Sequence, residues 1–381
     1  MTTQIKIAAI RLLQLFFFLV PIKKNRIMFY ANNRKGYVCN PAALMNTLRH
    51  KYPGEYDLIW VSRFPESCEP REEITIVKQR SLSYYRYFTR TKYVITNDMI
   101  DETLIKKPGQ LFITTWHGGG AYKKVGTSAL SEDKAFAHNF YRWYGRLDYF
   151  VSSCRICTEM YADAFGLKKQ CFLETGTPRN DIFFEDHSEI PTRVRSFYGL
   201  SKQTRILLFA PSFQMTAPDK EHYDRKQLQE TATALTERTS DPWVILYRSH
   251  YLRDEEPASG ESQIYDGNAY YEMQDLLYTA DILVTDFSSC IWDFSLTGRP
   301  IILLGRRLQE YEREDRGFFI PYESWPYLRV NKLSELTDII SDHLDQDFST
   351  VYKKHWKDMG SFENGNACNK IINTVIRGEK Q

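Results

Sequence analysis

Two short segments of this chain set groups able to handle phosphate and protons at the end of an apolar run. In Leu283-Val284-Thr285-Asp286-Phe287-Ser288-Ser289, a strand-like run stops at Thr285 and Asp286, and two serines open a new periodic segment, Ile291 to Leu296. Hydroxyls and unpaired backbone N–H groups at a helix start make an anion site. Thr285, Ser288 and Ser289 therefore read as groups for a phosphate or pyrophosphate, with Asp286 capping the following helix or orienting a serine. In Thr114-Thr115-Trp116-His117-Gly118-Gly119-Gly120-Ala121-Tyr122-Lys123-Lys124, a histidine follows the strand-like run Leu111 to Thr115 and precedes three glycines. An imidazole there can take a proton from an attacking hydroxyl near neutral pH. The glycines, Gly118 among them, permit close approach of a ligand to the backbone, and Lys123 and Lys124 can hold phosphate charge as point cations. The alternative reading of this second segment is a flexible turn with a solvated basic face.

Three further segments end strands in polar groups. Leu207 to Phe209 runs into Ala210-Pro211-Ser212, and Ile245 to Tyr247 runs into Arg248-Ser249-His250. Strand alternation puts Arg248 and His250 on one face, where two cations could balance charge on a leaving phosphate. In Gly176-Thr177-Pro178-Arg179-Asn180-Asp181, Arg179 can fork onto phosphate or carboxylate, and Asn180 or Asp181 reads equally as a helix cap. The alternating charges of Glu312 to Arg316, before Gly317-Phe318-Phe319, read as a solvated loop. There is no G-x-x-x-x-G-K-[ST] loop, no G-x-G-x-x-G after a strand and no H-E-x-x-H. Asp286 alone is thin ground for a divalent ion, so no metal or cofactor is expected with certainty. Seven scattered cysteines, with Cys154 and Cys157 the one close pair, read as reduced thiols rather than a zinc site.

These groups need a scaffold, and the rest of the chain supplies one. Its 381 residues, 43% hydrophobic, suggest two domains. A net charge of +2 gives no global field of the kind a nucleic-acid binder carries. Short β runs alternate with helical segments throughout, which predicts an α/β fold of parallel sheets with helices on both faces. The expected division is an amphipathic segment over 1–24, an N-terminal Rossmann-like domain over 25–190, a second Rossmann-like domain over 200–349 and a helical tail over 350–381. The charged stretch Asp186 to Lys202 is helical in character, with little apolar periodicity, and reads as a connector. At the N-terminus, Ile5 to Val20 is apolar but interrupted, too short to span a bilayer, and no small-residue cleavage site follows it. Gln4, Arg11 and Gln14 fall on one helical side and Leu12, Phe16 and Leu19 on another, with Lys23, Lys24 and Arg26 directly after. A helix lying in a membrane interface and a helix packed on the protein's own core both fit that pattern.

Taken in order, these segments resemble the CDP-glycerol glycerophosphotransferase family of teichoic-acid and related cell-surface polymer synthesis. The resemblance rests on Trp116-His117-Gly118 with Lys123, Lys124 and Gly126, on Gly176 to Asp181, and on Ala210-Pro211-Ser212. It rests equally on Arg248-Ser249-His250, Thr285 to Ser289 with Asp293, Gly298-Arg299-Pro300 and Arg316-Gly317-Phe318, and covers roughly residues 25 to 375. It implies a GT-B architecture, two Rossmann-like domains facing across a cleft, with a cytidine diphosphate donor on the second and a lipid-linked acceptor on the first. His117 would be the general base. Pro211, Ser212, Thr285, Asp286, Ser288, Ser289 and Arg316 would hold the donor, and Arg248 and His250 would balance charge on departing CMP. Gly118, Lys123, Lys124 and Arg179 would contact acceptor or phosphate. The resemblance also implies a peripheral protein at the cytoplasmic face of the plasma membrane, with a homo-oligomer possible. Where the family usually has Thr-Pro-Leu after His-Gly, this chain has Gly119-Gly120-Ala121, which predicts a looser, less bulky loop. The chain also lacks the N-terminal extension expected of the large polymerases, as expected of a compact priming or capsule-type transferase. Two other functions stay open: a nucleotide-sugar glycosyltransferase of the same architecture, or a scaffold with a degenerate nucleotide site. CDP-ribitol is an alternative donor.

Overall fold

The computed structural model describes residues 3–31, 36–68, 73–129, 140–141, 143–212, 225–248, 263–305 and 308–379. The chain divides into two compact units. The first comprises Met1–His117, Leu130–Asp181 and Phe362–Gln381, the second Gly118–Ala129 and Ile182–Ser361.

The first unit is built on seven strands: β1 (Lys23–Tyr30), β2 (Asp57–Ser62), β3 (Ile74–Lys78), β4 (Thr91–Thr96), β5 (Leu111–Thr114), β6 (Tyr149–Ser152) and β7 (Phe172–Glu174). All neighbours pair in parallel, in the order β3-β2-β1-β4-β5-β6-β7. Runs such as Ile27-Met28-Phe29 and Leu58-Ile59-Trp60-Val61 are apolar at every position because helices cover both faces of a parallel sheet. Helix α1 spans Thr3–Phe17, α2 Cys39–Lys51, α3 Leu82–Phe88 and α4 Arg155–Phe165. Leu44, Met45 and Leu48 of α2 pack on Ile27, Phe29, Trp60 and Ile95 to form the core on one side. The Cys154-x-x-Cys157 pair has a helix-capping use: the Cys154 sulfur accepts from the Cys157 N–H at the start of α4.

Helix α1 docks through Gln14 and the half-buried Ile7, Ile10 and Phe17, which share its side. Gln14 is fully buried, donating from Nε2 to the Thr103 carbonyl (2.6 Å) and accepting the Ile105 N–H (3.1 Å), while Arg11 donates to the Glu102 carbonyl (2.9 Å). Leu12, Leu15, Phe16 and Leu19 are left exposed, Phe16 at 72% and Leu19 at 90%. Leu12, Leu15, Phe16 and Leu19 therefore point away from the protein.

The second unit repeats the plan with β8 (Arg205–Phe209), β9 (Trp243–Tyr247), β10 (Ile264–Asp266), β11 (Ile282–Thr285), β12 (Ile301–Leu304) and β13 (Leu328–Val330), in the order β10-β9-β8-β11-β12-β13, again all parallel. Its helices include α5 (Glu189–Tyr198), α6 (Arg225–Thr239), α7 (Met273–Thr279), α8 (Cys290–Ser295), α9 (Leu336–His343) and α10 (Ser349–Met359). The stretch expected to be a helical connector holds α5, which buries Ile190 and Val194, one turn apart, and packs against α7. The C-terminal segment is helical but broken after Met359. Its last part, α11 (Ala367–Ile371) and the wider turns that continue it, belongs to the first unit, where Ile371, Ile372 and Val375 enter the α2 core. Asp181 fixes it there by accepting the Ala367 and Cys368 N–H groups (2.9 and 2.8 Å), so this carboxylate caps a helix 186 residues away rather than its own.

Candidate active site

In both sheets the strand order reverses beside the first strand, between β1 and β4 and between β8 and β11. In open α/β sheets ligands sit outside the carboxyl ends of the strands at such a point.

In the first unit this place is occupied by the segment after β5. Trp116 adopts a left-handed conformation (φ 50°), which turns the chain so that His117 is exposed while Trp116 packs among Tyr144, Phe150, Tyr161 and Phe165. The imidazole lies against the Trp116 indole (centroids 4.3 Å apart), and its Nδ1 faces the Asn97 carbonyl, just past β4, at 3.1 Å. A carbonyl can only accept, so the proton sits on Nδ1 and the basic lone pair on Nε2. Asn40, fully buried in the first turn of α2, organises this loop. Its amide donates to the Thr115 and Trp116 carbonyls (3.1 and 2.9 Å), and its oxygen accepts the Arg179 N–H (3.1 Å). The Arg179 guanidinium donates to the His117 carbonyl and to the Cys39 sulfur (3.0 Å each). Arg179 therefore braces the histidine loop. The rest of its segment braces the C-terminal strand of chain, with the Thr177 N–H and hydroxyl both donating to Glu363 (3.0 and 2.6 Å). Neither Asn40 nor Asn97 stands out in the sequence. An Asn-Pro at a helix start reads as a cap, and only the fold brings these residues to His117.

In the second unit the corresponding place is lined by the turns after β8 and β11. Asp286 does not cap α8. Its Oδ1 accepts the Ser212 and Phe287 N–H groups (2.8 and 2.5 Å), tying the two turns together, and Thr285 adds a bond from its hydroxyl to the Ala210 carbonyl (2.6 Å). Pro211 and Ser212 are buried, Ser288 and Ser289 half-buried. Ser289 starts α8 without a side-chain capping bond, and the Ser288 hydroxyl accepts weakly from the Cys290 N–H (3.4 Å). The segment Gly118–Ala129 belongs to this unit. Lys123 pairs with Phe318 as an antiparallel bridge, the Lys124 N–H donates to the Gly317 carbonyl (3.1 Å) and the Phe319 N–H to the Tyr122 carbonyl (2.9 Å). Lys123 and Lys124 are thereby laid beside Arg316, whose Nε donates to the buried Asp315 (3.0 Å). Burial pushes the Lys123 ammonium down to about 8, aided by like charge from Arg316 and opposed by Asp286 and Asp315.

The loop predicted to be loose is tightly packed. Gly119, Gly120 and Ala121 are all buried, and a Cβ on Gly119 would stand 2.2 Å from the Trp292 ring of α8. Gly120 (φ 78°) is equally close to the Tyr122 ring, at 2.3 Å. Tyr122 is itself locked: its hydroxyl bonds the Tyr327 hydroxyl and His355 Nε2 (2.8 Å each), and burial takes His355 down to about 4, so the ring is neutral and can accept. Trp292 fills the space beside these glycines.

Arg248 lies one residue beyond the end of β9. Its guanidinium donates to the carbonyls of Gly267, Tyr270 and Tyr271 (2.7, 2.6 and 3.1 Å), which gives it a bracing position. His250 and Ser249 lie outside the described residues. Among the described residues no group of three or more His, Cys, Asp or Glu side chains is placed to hold a metal ion, and no helix is long and apolar enough to cross a membrane.

The first unit thus presents an exposed histidine at its strand ends, and the second gathers serine, lysine and arginine side chains at its own. The family model of CDP-Glycerol:Poly(glycerophosphate) glycerophosphotransferase matches residues 12–377, and the chain belongs to that family. It is 26% identical over 369 residues to the teichoic acid glycerol-phosphate transferase of Staphylococcus aureus (strain NCTC 8325 / PS 47), covering 93% of each chain. It is 25% identical over 376 residues to the teichoic acid poly(glycerol phosphate) polymerase of Bacillus subtilis (strain 168), covering 94% of this chain and 50% of that one. It thus spans about half the length of this polymerase and of its Staphylococcus epidermidis counterpart. Ribitol-phosphate polymerases and a ribitol-phosphate primase are also among its relatives. The wall teichoic acid polymerase TagF has the same fold, with a TM-score of 0.84 at 24% identity over 97% of this chain and 93% of that chain.

Proposed function

We propose that the chain transfers glycerol phosphate from CDP-glycerol to a hydroxyl of a lipid-linked or polymer acceptor, releasing CMP, in the synthesis of a teichoic-acid-like or capsular surface polymer. The observation that carries this reading is the fixed imidazole of His117, Nδ1 on the Asn97 carbonyl, at the strand ends of a chain that belongs to this family.

The acceptor hydroxyl attacks the β-phosphorus, its proton passes to His117 Nε2, and the bond from that phosphorus to the bridging oxygen breaks, its electron pair leaving with CMP. Ser288, Ser289, Lys123 and Arg316 bind the pyrophosphate. Such a transfer is mostly positioning and electrostatics. The two units act as the two halves of a GT-B enzyme, the second holding the donor and the first the acceptor. The repeated strand order and the TagF fold support this arrangement. Lys123, read above as an acceptor or phosphate contact, serves the donor here because it lies beside Arg316. Helix α1 rests on the cytoplasmic face of the plasma membrane by Leu12, Leu15, Phe16 and Leu19, the side that its docking through Gln14 leaves outward.

The relatives that use ribitol phosphate favour one second reading, in which CDP-ribitol is the donor. Incubating the protein with each cytidine-linked polyol and a short lipid-linked acceptor, and weighing the products, tests both. Release of CMP with an acceptor grown by one glycerol phosphate is the expected result. Release of a nucleoside diphosphate from a nucleotide-sugar, with no reaction of either polyol donor, would replace phosphotransfer by sugar transfer.

A further inference from the structure

The second unit buries polar atoms for which the pyrophosphate role has no use. Asp286 spends Oδ1 on two N–H groups, while its Oδ2 is buried and has no hydrogen-bond partner among the described residues. Among the described residues the hydroxyls of Ser212 and Tyr311 are likewise buried and unpartnered, and that of Tyr322, near the Arg329 guanidinium, makes no hydrogen bond of ordinary geometry. They belong to one place. Ser212 is bonded through its N–H to Asp286, and the Phe287 ring packs on Tyr311 and Tyr322 (centroids 4.4 and 5.7 Å). Both tyrosines and Lys123 lie within electrostatic reach of the Asp286 carboxylate. Native proteins rarely leave several buried polar atoms unpaired in one spot, because each costs its full desolvation. Where they do cluster, a ligand that pairs them is the physical explanation.

The chemistry of the set chooses the ligand. A carboxylate oxygen repels phosphate and accepts from a neutral donor, and three hydroxyls can both give and take. That is a lining for alcohol groups. Asp286 and Ser288 stand two positions apart, a reach of at most about 7 Å. A polyol hydroxyl lies only a few bonds from the phosphorus that Ser288 would hold, whereas the cytosine amine stands beyond the whole ribose. We propose that Asp286 Oδ2, Ser212, Tyr311 and Tyr322 form the subsite that recognises the hydroxyls of the polyol carried by the donor. The subsite rests on the donor reading given above. It makes Asp286 a specificity-determining residue, with Oδ1 fixed by backbone N–H groups so that Oδ2 points at a defined position.

Calorimetric titration separates the two ideas. The probes are CDP-glycerol and the β-methyl ester of CDP, which keeps charge, ribose and base but has no polyol hydroxyl. Asp286→Asn retains the Oδ1 acceptor and replaces only Oδ2, and Tyr311→Phe removes one hydroxyl without touching Asp286. Asp286→Asn is expected to weaken CDP-glycerol about tenfold or more, the size of one charge-assisted hydrogen bond. Tyr311→Phe is expected to weaken it several-fold. Both variants should bind the methyl ester as the wild type does. Equal losses for both probes, or no loss for either, overturn the subsite. Wild-type protein with no affinity for either probe overturns the donor reading itself. Tyr311→Phe keeps the proposal falsifiable if Asp286→Asn fails to fold.

Discussion

The two units share a strand order and differ in what they place where that order reverses. In the first unit the reversal is closed by buried amides, with the Arg179 guanidinium bracing the loop. Asn40 and Asn97 are buried, and between them they hold a loop whose one reactive side chain, His117, is pushed outward. In the second unit the reversal is charged and inward-facing, with Asp286, Lys123, Asp315 and Arg316 gathered around buried hydroxyls. A proton acceptor gains from exposure, because a buried imidazole loses basicity, as His355 shows at about 4. Groups that bind charge and hydroxyls gain from burial, where competing water is scarce. On the proposed function, one architecture serves chemistry in one half and recognition in the other.

The largest test of that division is His117→Ala. A general base is worth about 10²–10⁴-fold, so CMP release should fall by that much while donor affinity by calorimetry stays within a factor of two. A parallel loss of donor affinity would remove the distinction between the halves. Asn40→Ala should come next. It leaves the Thr115 and Trp116 carbonyls without their donor and releases the His117 loop. We expect a rate loss of about 10²-fold from misplacement and about 1–3 kcal/mol of stability from buried groups left unpaired, read by thermal unfolding. A full loss of stability with unchanged turnover in the folded fraction would show that Asn40 shapes the fold and not the site.

The comparison also shows how far the sequence could be read. The parallel α/β plan and the strand ends carrying His117, Ser212 and Ser288 were legible, because apolar runs and the polar residues that stop them are local. Strand β13, three residues long, carries too little pattern to declare itself. The partners were not legible, because they are distant in sequence: Asn40 meets Trp116, and Trp292 meets Gly119. For Arg248 and Arg179 the sequence offers charge for a phosphate but not the carbonyls to which each guanidinium donates. Only the fold supplies the carbonyls of Gly267, Tyr270 and His117.

The Gly119–Trp292 pair gives a smaller and sharper test, confined to the second unit. Gly119→Ala forces a Cβ against a fully buried indole, and overpacking of this kind costs about 1–3 kcal/mol. Adding Trp292→Leu to Gly119→Ala should recover part of the cost, and a thermodynamic cycle on the unfolding midpoints measures the coupling. Strict additivity would mean that the glycines are there for some reason other than the indole.

The smallest expected effect distinguishes the halves by proton count. Lys123 has its ammonium drawn from 10.5 down to about 8, by burial first and the positive charge of Arg316 second, against Asp286, Asp315 and Cys290. In free protein it therefore loses its charge as pH rises through about 8. A bound pyrophosphate adds negative charge beside it and favours the ammonium, so the bound-state value moves back toward the ordinary one. The sign follows: above about pH 8, donor binding takes up protons, and affinity declines by less than tenfold per pH unit until the bound-state value is reached. Titrating CDP-glycerol at pH 8.5 in about two buffers of different ionisation enthalpy reads the uptake directly. Lys123→Arg keeps the charge over this range and should abolish the uptake while retaining affinity. The His117→Ala variant should leave the uptake in place, because the group that titrates belongs to the recognising half. Uptake that vanishes with His117 instead would move the titrating proton to the other unit and undo the contrast.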